Sequence, residues 1–130
     1  MIRLAQLGFL IFLLLEQQTA AQPLRIACIG NRFTYGDGII NREKNAYPVQ
    51  LQALLGNGYQ VTNYGLPESD TLPASGEASI DHALRSVPSI IFIECRTPAD
   101  SSLIKRFLKR LPDSRIVLLM PPTYPMTEIR

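Results

Sequence analysis

Four short strand-like segments recur along the chain, at 24–29, 60–64, 90–95 and 116–120, and residues that read as loop or helix lie between them. Leu24 to Ile29, Ile90 to Cys95 and Ile116 to Met120 are nearly continuous in apolar residues. In the first two, such runs without alternation fit buried strands, the first covered on both faces as in a parallel sheet. The remaining one, Gln60 to Tyr64, carries Val61 and Tyr64 and ends at Gly65. After the first strand comes a Gly- and Asn-rich loop, Gly30 to Asn45. Pro48 then fits a first helical position, and the helix runs to Leu55 with Gly56 stopping it. Leu66 to Ala78 reads as a turn-rich connection and Ser79 to Arg85 as a short, weak helix. Asp100 or Ser101 can cap a further helix that ends at Pro112. On it Leu103, Ile104, Phe107, Leu108 and Leu111 share one face, and Lys105, Arg106, Lys109 and Arg110 the other. Those four cations fit an anion or membrane surface in principle, but a solvated helix face is the simpler reading.

The order β-α-β-α-β-α-β implies an α/β fold with a parallel sheet and helices on both faces. Right-handed crossovers favour a doubly wound, flavodoxin-like sheet with strand order 2-1-3-4. Ligands in such sheets bind beyond the carboxyl ends of the strands at the switch point, so chemistry is expected in the loop 30–38.

The N-terminus is set apart. Arg3 precedes an apolar run, 4–15, followed by polar residues and Thr19-Ala20-Ala21. This reads as a secretory signal peptide over 1–21, cleaved after Ala21, with one domain over 22–130 and a secreted or periplasmic location. The run is well short of the ~20 residues that span a bilayer, so no membrane association is expected after cleavage. With 13 basic and 11 acidic residues the chain lacks the basic excess of a dedicated nucleic-acid binder. At 46% hydrophobic and 18% charged it has the means to build a core. Export permits a disulfide, but Cys28 and Cys95 both fall on strands, which favours two buried thiols. Neither cysteine has metal-site spacing and there is 1 His, so no metal or other cofactor is expected.

The first strand and its loop read Ile26-Ala27-Cys28-Ile29-Gly30-Asn31-Arg32-Phe33-Thr34-Tyr35-Gly36. This resembles the first block of the SGNH (GDSL-type) hydrolase family, G-[DN]-S-[IL]-T-x-G. Asn45-Ala46-Tyr47-Pro48, Leu51-Gln52-Ala53-Leu54-Leu55-Gly56 and Tyr59-Gln60-Val61-Thr62-Asn63-Tyr64-Gly65 follow in order, and look like the secreted carbohydrate-esterase branch of that family. The resemblance is close over residues 24–72 and loose over 88–122. It implies a three-layer α/β/α sandwich and serine ester hydrolysis, with a Ser nucleophile after the first strand, a His base oriented by an Asp, and oxyanion donors from two further blocks.

The sequence departs from that pattern where the chemistry lies. Arg32 occupies the nucleophile position, and a guanidinium has no lone pair with which to attack a carbonyl. The oxyanion positions fall on Ser69, in a stretch without the expected Gly, and on Pro98, which has no N–H. The family's D-x-x-H block, and the last strand and helix that carry it, lie beyond residue 130, and the single histidine, His82, reads as an exposed helix residue. Thr34 and Ser69 are alternative nucleophiles with Asp37, Glu68 or Asp70 as bases by loop position, although turn roles explain these residues more simply. Arg32 and Arg96 follow neighbouring strands, so with Asn31 they could form an anion crevice for a sugar carboxylate, unless Glu94, Glu68, Asp70 or Asp37 pairs with them.

The expectation is therefore a secreted SGNH-hydrolase-like protein, truncated and catalytically impaired. The alternatives are an active ester hydrolase using unrecognised groups and a non-catalytic carbohydrate- or anion-binding module. The strand 116–120 reads as an apolar sheet edge through which the chain could self-associate.

Overall fold

The computed structural model describes residues 21–67, 74–95 and 100–120. The elements follow in the order β1 (Leu24–Gly30), α1 (Arg32–Tyr35), α2 (Arg42–Asn45), α3 (Tyr47–Leu55), a 3-10 turn (Gly56–Gly58), β2 (Tyr59–Gly65), α4 (Ala74–Arg85), β3 (Ile90–Glu94), α5 (Asp100–Arg110) and β4 (Arg115–Leu119). The four strands form one sheet in the order β2-β1-β3-β4. All three pairings are parallel. This is the α/β sandwich and strand order expected from the sequence.

The sheet buries its two faces differently. Ala27, Ile29, Ile91, Ile93 and Cys95 point into the main core with Ala83 and Leu84 of α4 and Phe107 of α5, and Ile80, Leu103, Ile104, Leu111, Ile116 and Leu118 pack against it. Ile26 and Cys28 are also buried, but by alternation they face the other way. On that side α3 packs against β2, with Ala46 and Pro48 buried at its start. One crossover helix on one face and two on the other is what right-handed connections require when the chain turns back across β1. Coverage on both faces explains the continuous apolar runs of β1 and β3, whereas β4, at the edge of the sheet, leaves Val117 38% exposed.

The same alternation settles the cysteines. Cys28 lies opposite Phe92, and Ile29 opposite Ile93. Cys95, two residues after Ile93, joins the main core, whereas Cys28 faces away from it. Both are buried and not joined in a disulfide, because side chains on opposite faces of a sheet cannot meet disulfide geometry.

Several local expectations change. The loop 30–45 contains two single helical turns, α1 and α2. The short helix expected over 79–85 begins earlier, at Ala74. Its Ser79 hydroxyl donates to the Tyr64 carbonyl (3.1 Å), and docking overrides a poor helical composition. On α5 Leu108 does not join the buried face but stays 50% exposed. Arg106 is not merely solvated, since its two terminal nitrogens donate to Glu77 and Asp81 of α4. The helix thus rotates so that Phe107 is central to the core and Arg106 ties down its flank. No helix among the described residues is long and apolar enough to cross a membrane. The expected signal peptide over 1–21 lies, apart from Ala21, outside the described residues.

Candidate active site

The carboxyl ends of β1 and β3 adjoin at the switch point of the sheet, and the loop from β1 closes over them. Asn31 leads into α1, whose single turn is closed by bonds from the Tyr35 N–H to the Asn31 carbonyl and from the Gly36 N–H to the Arg32 carbonyl, both 2.8 Å. Gly36 ends it at φ 91°, in the left-handed region, with its α-carbon packed close to Ala46.

This turn is fixed from beneath by two side chains. Glu94, the last residue of β3, is buried, and one carboxylate oxygen accepts from the Asn31 N–H (3.0 Å), the Thr34 N–H (3.2 Å) and the Thr34 hydroxyl (2.9 Å). Three donors on one oxygen satisfy polar groups that would otherwise be stranded without water. From the other side the Asn63 amide of β2 donates to the Thr34 carbonyl (2.9 Å), while its own oxygen accepts from the Gly65 N–H (2.8 Å). The approach of strand to turn is so close that a β-carbon on Gly65 would overlap the Thr34–Tyr35 backbone, and one on Gly30 would strike Thr34 and Glu94.

Beneath the turn Tyr47 and Cys28 complete a buried polar cluster. Burial pushes the Cys28 thiol up to about 11, partly offset by the Tyr47 hydroxyl beside it. Burial, and next the nearby thiol, raise the Tyr47 phenol well above its usual range. Its hydroxyl is buried without a hydrogen bond of good geometry. The Tyr47 ring stacks on Phe33 of α1, with centroids 5.3 Å apart and planes at 20°.

Of the site residues expected from sequence, Asn31 and Arg32 lie together at the carboxyl end of β1 and are exposed. Arg32 is the first residue of α1, 51% exposed in its side chain, with its Nε 3.7 Å from Asp37. One of the internal carboxylates considered for it is therefore its neighbour. Thr34 is fully buried and its hydroxyl is committed to Glu94, so an ester carbonyl cannot reach it. His82 is exposed on α4, with its ring edge-on to Tyr64 at 5.5 Å. Ser69, Arg96 and Pro98, with Glu68 and Asp70, lie outside the described residues. Sequence reasoning offered Glu94 only as a partner for Arg32 or Arg96, and gave Asn63 and Tyr47 no role in the site. The signal for Glu94 was a lone acid closing an apolar strand run, which needs a buried partner. Among the described residues no group of three His, Cys, Asp or Glu side chains is placed to hold a metal ion.

Arg32 thus stands exposed on a rigid turn, and the aliphatic hydroxyl of that turn is shut beneath it. No family profile matches the chain, and no solved structure does. The chain is 40% identical over 79 residues to an acetylxylan esterase of Xylanibacter ruminicola, a match covering 57% of this chain and 16% of that protein. That similarity supports a carbohydrate-esterase-like relationship for an α/β domain that spans a small part of its relative.

Proposed function

We propose that this chain is a secreted, SGNH-hydrolase-like carbohydrate-esterase domain that engages saccharides without cleaving their esters. The family motif places the attacking oxygen at the position of Arg32, which stays protonated and cannot act as a nucleophile. The observation that carries the reading is that the turn offers no substitute. The Thr34 hydroxyl lies two residues on, with a carboxylate at hydrogen-bond distance, yet it is sealed from solvent. A base is of no use to a nucleophile that substrate cannot approach. The acetylxylan esterase similarity supports acetylated xylan as the polymer to test.

The test is the purified full chain against 4-nitrophenyl acetate, acetylated xylan and a fluorophosphonate probe. The expected result is hydrolysis at the buffer rate and no covalent label. Saturable turnover, or labelling of any Ser or Thr, overturns the proposal.

A further inference from the structure

Phe33, in the single turn α1 that follows β1, is 59% exposed. A single exposed apolar residue is ordinary on a protein surface, but this ring is held. One face lies on Tyr47. Its backbone belongs to a turn fastened by Glu94 and Asn63, and Tyr47 itself is anchored between the buried Ala46 and Pro48. With one face covered and that much area exposed, the other face is open. The motif that the first block resembles carries Ile or Leu at this position, so the aromatic ring is a departure adjacent to Arg32.

We propose that the open face of Phe33 is a stacking platform for a pyranose ring of a xylan-type saccharide, an inference that rests on the function proposed above. An aromatic face carries partial negative charge and attracts the partly positive C–H groups along the flat side of a pyranose, which an aliphatic side chain cannot do. The platform is preorganised, so little side-chain freedom is lost on binding. Asn31 and Arg32 are exposed on the same turn and supply hydrogen-bond donors for sugar hydroxyls. The placement agrees with the general location of ligands in open α/β sheets.

The chain contains no tryptophan, so F33W introduces a single indole emitter at the site. Titration of the full-length F33W protein with xylohexaose is expected to change that emission saturably. Calorimetry of the wild-type chain with the same probe is expected to show binding that weakens at least tenfold in F33A and is unchanged in L54A, an exposed helix position. Circular dichroism identical to wild type establishes that F33A is folded. An unchanged F33W emission, or equal binding by folded F33A and wild type, overturns the platform. Failure here is separate from failure of the proposed function. Ester turnover by the wild type ends the non-catalytic reading whatever Phe33 binds, and absence of xylohexaose binding ends the platform whatever the esterase assay gives.

Discussion

The hydroxyl of Thr34 and the carboxylate of Glu94, 60 residues apart in sequence, meet at 2.9 Å beneath the turn that follows β1. The pair resembles a nucleophile with its base, but Thr34 has no exposed surface. It is a fastener. The same carboxylate oxygen takes two backbone N–H groups, so the end of β3 fixes the path of the chain leaving β1.

Replacing that acceptor tests the fastening. Glu94→Leu strands two N–H groups and a hydroxyl, and is expected to cost on the order of 3 kcal/mol or more. Glu94→Gln keeps an acceptor oxygen but not its charge, at about 1 kcal/mol. Urea unfolding of the two variants beside wild type measures the gap, and equal costs would show that the oxygen is not the anchor.

How much of this was legible in the sequence depended on distance along the chain. Strand positions followed from local runs, because a covered strand writes its burial into consecutive residues, and the sheet order followed from the handedness of the crossovers. The first half of α4 did not show, since 74–79 offer no apolar spacing before Ile80. The face of α5 was legible except at its edge, where Leu108 and Arg106 depend on where α4 lies. In the site, the position of Arg32 was readable from its motif. Its fastenings were not, because Glu94 and Asn63 act on residues 60 and 29 positions away.

Gly65 carries no side chain because β2 passes directly under α1. Gly65→Ala drives a methyl group into the Thr34–Tyr35 backbone and is expected to cost about 3 kcal/mol. Gly58→Ala meets nothing within 4 Å and should stay within about 0.5 kcal/mol of wild type. Thermal unfolding of both variants checks the contrast, which isolates close approach from the general effect of removing a glycine.

At the opposite end of the sheet Val87 adopts φ 46° in the turn before β3. A β-branched residue pays for the left-handed region through its crowded β-carbon, and Val87 is 55% exposed, so little packing offsets the strain. Val87→Asn, a residue that tolerates this conformation, is expected to stabilise by roughly 0.5–1 kcal/mol. Val87→Ile keeps the strain and should give no gain in the same denaturation series.

Alkaline pH should loosen the cluster under α1 through Cys28. Its thiol ionises near 9.0 when unfolded and is pushed up to about 11 by burial in the folded chain. Above pH 9 the unfolded state therefore releases a proton that the native state retains, and stability falls as pH rises until the folded thiol ionises in turn. Two pH units correspond to at most about 3 kcal/mol, lost between pH 9 and 11. Cys28→Ala should remove this part of the slope even if it lowers stability at pH 7 by leaving a small void. Tyr47, also raised, adds a loss of the same sign above pH 10. Tyr47→Phe should remove that part at little cost at pH 7, because its buried hydroxyl makes no good hydrogen bond there. Unfolding free energies of the three proteins from pH 7 to 10.5 separate the two groups. A wild-type profile flat above pH 9 would mean that water reaches the thiol.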